Sequence, residues 1–252
     1  MTLYLIGLGL CDEKDITLKG LEAAKKSKSI YLETYTSLLK CDKAALEEVI
    51  GKPIYPADRN FVEKKGDSLI QTAKTSDVAL LIIGDPLCAT THQDIIQRAK
   101  KENVKVEVIH NASVMTAIGI TGLQIYKFGR TTSIPFPDKD YMPETPYNVI
   151  KENKSINAHT LLLLDLRPDE SRFMSVNDAI NYLLKIETKR EEKVFKNDTF
   201  CIGCARLGCR DELIISGTAE QLLKKDFKGP LHCLIIPAAM HFMEEEAVKR
   251  FK

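Results

Sequence analysis

The segment Val78-Ala79-Leu80-Leu81-Ile82-Ile83 is apolar at every position and stops at Gly84-Asp85-Pro86. A strand with one wet face alternates polar and apolar residues, so a run without alternation implies burial on both faces, as in a parallel sheet covered by helices. Leu3 to Leu8 reads the same way and runs into Gly7-Leu8-Gly9-Leu10, and the strand-like Asn103 to Ile109 leads into His110-Asn111-Ala112-Ser113. In an open α/β sheet the carboxyl ends of the strands form the rim where a ligand binds. Three such motifs, with Pro230-Leu231-His232 opening a late strand, therefore point together to a ligand at the strand ends.

Between these strands the spacing is helical. Thr17 to Ser27 places Leu18, Leu21 and Ala24 on one face, Ala45 to Ile50 and Phe61 to Thr75 read as helices, and Ser29 to Glu33 as a strand. Thr90-Thr91-His92-Gln93 matches a capping box, with Thr90 as N-cap and Gln93 at the third helical position. Past Asn111 the pattern changes. Val114 to Phe128 is apolar with few charges, and the Pro135, Pro137, Pro143 and Pro146 segment reads as a loop. The apolar stretch is either a core helix or a surface covered by a second copy of the chain. Leu161 to Leu166, Phe200 to Ala205, Glu212 to Ser216 and His232 to Ile236 supply four more strands, with helices near Ser175 to Thr188 and Met240 to Phe251. The expected architecture is two α/β domains, residues 1–112 and 113–252.

At 252 residues and 44% hydrophobic content, the chain can fill two cores of that size. Its 36 basic and 35 acidic residues leave a formal net charge of +1, so no overall field draws it to nucleic acid or a membrane. No apolar run reaches the roughly 20 residues of a membrane-spanning helix, and the start lacks the features of a signal peptide. A cytoplasmic location is expected, and seven scattered cysteines suit reduced thiols better than a disulfide framework. Cys201, Cys204 and Cys209 offer only half of a zinc pattern and sit in or beside a buried strand, so no metal is expected.

Gly7 and Gly9 form a Gly-x-Gly turn, but Asp12 stands where a dinucleotide fingerprint needs a third glycine or alanine, which weakens a nicotinamide reading. Pro86 biases Asp85 away from helical geometry. Its carboxylate at the rim suits ribose hydroxyls or an ammonium, or else an Asx turn. Ser113 suits a helix cap or a ligand contact, and His232 a hydrogen-bonded core histidine.

Longer stretches carry a resemblance. Leu5 to Leu10 with Asp15 to Leu21, Tyr31 to Ser37, Gly84-Asp85-Pro86 with Ala89 to His92, His110 to Ser113, Gly122 to Gly129, His159 to Leu166, Met174 to Asn177, Ala205 to Gly208 and Pro230 to His232 together resemble the diphthine synthase family. That family has the tetrapyrrole-methylase-like fold, two α/β domains with the cofactor cleft between them, and is usually a homodimer. The resemblance implies methylation by S-adenosyl-L-methionine, leaving S-adenosyl-L-homocysteine. The implied substrate is the 3-amino-3-carboxypropyl-histidine of translation elongation factor 2 in diphthamide biosynthesis, methylated repeatedly on its amine and, in eukaryotic members, also on its carboxylate. Cofactor contacts carried over from the family fall on Leu10, Asp85, Cys88, Ser113, Val114, Leu164, Leu207 and His232. No catalytic base is implied; His92 reads better as a helix-start residue. The alternatives are a same-fold methyltransferase acting on a tetrapyrrole or RNA, and a non-enzymatic metabolite-binding protein.

Overall fold

The computed structural model describes residues 1–64, 66–137 and 141–252, which divide into two compact units, Met1–Val114 and Met115–Lys252. In the first, β1 (Thr2–Gly7), α1 (Leu18–Lys26), β2 (Ser29–Glu33), α2 (Lys43–Ile50), β3 (Tyr55–Ala57), α3 (Gly66–Ala73), β4 (Val78–Ile82), α4 (Gln93–Lys101) and β5 (Lys105–Ile109) follow one another. The strands form one sheet in the order β3-β2-β4-β1-β5, parallel throughout. Leu3, Leu5, Val78, Leu80 and Ile82 fill the core on one face, while Tyr4, Ile6, Ala79 and Leu81 fill that on the other. The unbroken apolar runs are thus buried on both sides, as their pattern requires.

Local signals set the helix ends. The Thr17 hydroxyl accepts from Gly20 N to cap α1, and Asp42 accepts from Ala45 N to cap α2, which stops at left-handed Gly51. Two expectations are corrected here, one at Phe61 to Thr75 and one at Thr90. The continuous helix over Phe61 to Thr75 is instead a π-turn over Asn60–Lys64 and the separate α3, with residue 65 outside the described residues. Pro53 to Pro56 runs into an edge strand, β3, where Pro56 is tolerated. The Thr90 capping box does not form: α4 begins at Gln93 behind His92, because the Thr90 hydroxyl donates to Pro86 O at 2.8 Å instead.

The second unit begins within α5 (Val114–Ala117) and continues through β6 (Thr132–Ile134), α6 (Thr145–Ser155), β7 (Thr160–Leu164), β8 (Leu166–Arg167), β9 (Arg172–Phe173), α7 (Val176–Arg190), β10 (Phe200–Ala205), β11 (Leu213–Thr218), α8 (Ala219–Leu222), β12 (His232–Ile236) and α9 (Phe242–Val248). Its main sheet, β11-β10-β12-β7-β6, is antiparallel except for the β6–β7 pair. The proline-rich segment, expected to be a loop, follows β6 and runs into α6; Pro146 sits in the first turn of α6, where a missing N–H costs nothing. The apolar stretch after Asn111 is no long helix but α5 and two short 3-10 turns. Ile118 and Leu123 are buried within it, and Ile120, Ile125 and Tyr126 exposed. Cys201 and Cys204 are buried in β10. Cys41, Cys88, Cys201, Cys204 and Cys233 are free thiols; the expectation of reduced thiols throughout is corrected at Cys11 and Cys209, which are disulfide-bonded. Spacing along the chain carries no information on which sulfurs come within bonding reach.

Candidate active site

Because β1, β4 and β5 are parallel neighbours, the turns that follow them lie at one end of the sheet. Gly9 and Gly84 exchange backbone hydrogen bonds, Gly84 N to Gly9 O at 2.7 Å and Gly9 N to Gly84 O at 3.3 Å. Both have φ of 82°, the left-handed region that glycine enters freely. A Cβ on Gly9 would meet Asp15 Cβ at 2.5 Å, whereas one on Gly84 would meet nothing nearer than Ala112 O at 4.0 Å. The first glycine allows close packing and the second leaves open space at the rim.

Asp85 lies beside that space and is buried. Its Oδ1 accepts from Leu87 N at 2.9 Å, an Asx turn. Its Oδ2 accepts from Asn111 N at 3.1 Å and from His110 Nδ1 at 2.8 Å. Burial works against the charge, but these donors outweigh it and hold the carboxyl below its ordinary range. Asp85 is therefore an ionised acceptor at neutral pH. Burial pushes the Cys88 thiol upward against a hydrogen bond with Ser113 that pulls it down, so a neutral thiol stands near the carboxylate. Leu10, expected to contact the cofactor, has its N–H taken by Asp15 Oδ2 at 3.1 Å; only its carbonyl and side chain are left for a ligand. Five of the expected contact residues, Leu10, Asp85, Cys88, Ser113 and Val114, thus lie on the three turns at this end of the first sheet.

Residues with no role assigned from the sequence hold these turns. Asn111 Nδ2 donates to Gly7 O and Asp15 O, both at 2.9 Å, tying the turn after β5 to that after β1. Asp15 also receives Cys11 N at 2.7 Å. In the sequence Asp15 resembles any acid before a helix; only the fold brings it under the turn. His92 is 1% exposed, with Nδ1 3.1 Å from Pro86 O and Nε2 3.1 Å from Glu33 Oε2. The last pair is close but not aligned as a hydrogen bond. Sealed in this way, His92 cannot reach a substrate.

In the second unit, Leu164 ends β7, Leu207 follows β10 and His232 begins β12. The antiparallel pairing of β12 with β7 and β10 brings these three to one end of the sheet. His232 Nδ1 accepts from Val176 N at 3.3 Å and Nε2 donates to Gly229 O at 3.0 Å. Burial lowers its pKa against the opposing pull of that carbonyl. With both nitrogens engaged, any ligand contact there falls to its backbone. Arg206, φ 53°, braces the neighbouring loops through Phe227 O at 2.7 Å, Gly229 O and Asp211 Oδ2.

A cluster of donors and an ionised carboxylate at parallel strand ends suits a polar ligand with hydroxyl or ammonium groups. The family described as Tetrapyrrole (Corrin/Porphyrin) Methylases matches residues 2–223. A Methanococcus maripaludis protein named diphthine synthase is 48% identical over 98% of this chain and 97% of its own length. A Dictyostelium discoideum protein named diphthine methyl ester synthase is 46% identical over 100% of this chain and 98% of its own. A crystal structure of diphthine synthase superposes with a TM-score of 0.92 at 39% identity, covering 100% of this chain and 96% of that one. The chain therefore belongs to the tetrapyrrole methylase family, and within it to the diphthine synthases, methyltransferases of diphthamide biosynthesis.

Proposed function

We propose that this methyltransferase takes its methyl groups from S-adenosylmethionine and transfers them to the amine of 3-amino-3-carboxypropyl-histidine in translation elongation factor 2. The observation that carries the reading is the full-length likeness to diphthine synthases. A buried, ionised Asp85 at the strand ends supports it. In the first unit the groups present fit the cofactor: Asp85 accepts from hydroxyls or an ammonium, Leu10 and Val114 offer apolar surface or backbone groups, and Cys88 and Ser113 are further contacts inferred from the family. Leu164, Leu207 and the backbone of His232 are the contacts the family places on the second unit. When bound, the sulfonium supplies an electrophilic methyl group.

The protein's part is to bind and orient, worth up to about 7 to 11 kcal/mol in well-aligned reactions. The attacking amine must shed its own proton, with a reference pKa of about 7.7 to 8.0 for an α-amino group. No side chain is assigned as its base. A homodimer is inferred, the exposed Ile120, Ile125 and Tyr126 offering apolar surface for it, and a cytoplasmic setting. Among the described residues, no helix is long and apolar enough to cross a membrane. Action on a tetrapyrrole or on RNA is not favoured. The test is intact-mass analysis of elongation factor 2 carrying the unmethylated group after incubation with the protein and S-adenosylmethionine. Stepwise methyl additions at that histidine are expected, and an unchanged mass would refute the assignment.

A further inference from the structure

The proposed reaction leaves one task without a residue, the removal of a proton from the attacking nitrogen. Each transfer adds a methyl group to a neutral amine and leaves an ammonium, so repeated methylation needs a proton taken away between one transfer and the next. Histidine is the side chain that most often does this, and the chain has five. His92 is sealed behind Pro86 and Glu33. His159 is buried, with Nε2 on Glu244 and Nδ1 accepting from Ala238 N, His232 has both nitrogens engaged, and His241 caps α9.

His110 differs from these four. It follows β5, at the end of the sheet where the turns after β1, β4 and β5 gather. Its side chain is 66% exposed, while that of its partner Asp85 is 5% exposed. Asp85 is ionised and can only accept, so the 2.8 Å contact puts a proton on His110 Nδ1. In the neutral ring the lone pair then lies on Nε2. Among the described residues, that nitrogen makes no hydrogen bond. Asp85 is itself fixed by Leu87 N and Asn111 N, and Asn111 is anchored to Gly7 O and Asp15 O. A buried carboxylate on a braced frame, setting the tautomer and direction of an imidazole that faces solvent, is the arrangement of an oriented base.

The ionisable neighbours are engaged elsewhere. The Cys88 thiol bonds Asp85 and Ser113. On the turn after β1, Asp15 Oδ2 accepts from Leu10 N and Cys11 N, Asp12 accepts from Lys14 N, and Glu13 pairs with Lys14. On β5, Glu107 pairs with Lys19 and Lys105.

We infer that His110 Nε2 takes the proton from the substrate's amine, with Asp85 orienting the ring; the assignment rests on the substrate proposed above. The ammonium N–H proton moves to Nε2, and its bonding pair stays on nitrogen as the lone pair that attacks the next methyl carbon. The pair that held that carbon to sulfur stays with the sulfur. The imidazolium, beside the Asp85 carboxylate, returns its proton to water through its exposed face, so no further reactant is needed.

His110→Asn keeps an N–H for Asp85 and removes the acceptor. Its thermal midpoint should match wild type, and its cofactor Kd by calorimetry should stay within about twofold. Single-turnover rates on elongation factor 2 carrying the unmethylated group are compared at about pH 7 and about pH 9.5, below and above the α-amino range. At the lower pH the variant should be slower by about 10²-fold or more, the scale of a general base. At the higher pH the amine is neutral without help, and the deficit should shrink to about tenfold or less. A wild-type rate in His110→Asn at the lower pH overturns the assignment, as does a deficit equal at both pH values, which marks a purely structural role. A rise in cofactor Kd that matches the loss of rate overturns it in favour of a cofactor contact. A wild-type enzyme that transfers nothing to this substrate removes both this assignment and the proposed function.

Discussion

The Asp85 carboxylate is nearly filled by the protein itself. A carboxylate offers about four acceptor positions; Leu87 N, Asn111 N and His110 Nδ1 take three, and a ligand competes with the Cys88 thiol for the fourth. Asp85→Ala should weaken S-adenosylmethionine binding about 10- to 100-fold, since a hydrogen bond to a charged group contributes about 1.5 to 3 kcal/mol. Calorimetry on the folded variant checks this, and an unchanged Kd would take Asp85 out of the site. His92, by contrast, is walled in by Pro86 and Glu33. His92→Gln should keep the rise of single-turnover rate with pH through the α-amino range near 8, while costing stability because Glu33 loses its neighbour. A loss of the pH-dependent step by 10²-fold or more, the scale of a general base, would contradict the buried placement.

At the scale of elements, α9 is tied to the start of β7 by a buried charge. Glu244 Oε1 accepts from Gln124 N at 2.9 Å and pairs with His159 Nε2 at 3.1 Å, and Oε2 accepts from His241 N and Lys127 Nζ. His159 Nδ1 accepts from Ala238 N, so the proton resides on Nε2 and points at the carboxylate. Burial raises the Glu244 pKa, but these donors prevail and bring it from 4.5 down to about 2. A carboxyl lowered on folding contributes stability that is complete above its unfolded value and disappears as pH falls through the folded one. At about 1.4 kcal/mol per unit, some 3 kcal/mol should be lost between about pH 4.5 and 2. Burial also lowers the His159 pKa from 6.5, so the unfolded chain takes up that proton first and the loss begins below pH 6.5. Urea unfolding from pH 7 downward should show this decline, and Glu244→Gln should flatten its lower part while lowering stability at pH 7. On β10, a Cβ at Gly203 would stand 2.4 Å from the Phe227 ring and 3.0 Å from Val176. Both neighbours are buried, so Gly203→Ala should cost about 1 to 3 kcal/mol, read as a lower urea midpoint.

For the whole molecule, light scattering at low concentration should return about twice 28.3 kDa. Substituting Tyr126 and Ile125, both exposed, with charged residues should shift it toward the monomer; a wild-type monomer would make their exposure ordinary. Among the described residues, no group of three or more His, Cys, Asp or Glu is placed to hold a metal ion. Because the sulfonium of the proposed donor carries its own electrophilic activation, activity should survive dialysis against a strong chelator, and loss reversed specifically by zinc would contradict that.

Apolar runs in β1 and β4 determined the doubly covered parallel sheet by themselves, because an unalternated strand has no wet face to offer. The glycines and Asp85 were legible for a related reason: a turn at a strand end needs residues that tolerate its geometry, and Asp85 beside Pro86 is held extended. Other features depended on packing. Thr90 gave its hydroxyl to Pro86 O rather than to a helix cap, and Pro146 began a helix inside a segment that reads as a loop. Asp15, Asn111 and Arg206 act on backbone groups brought to them by the fold, as when Asn111 bonds Gly7 O from 104 residues away. Local spacing can specify which way a side chain faces, but which distant carbonyl it meets there is decided only when the strands assemble.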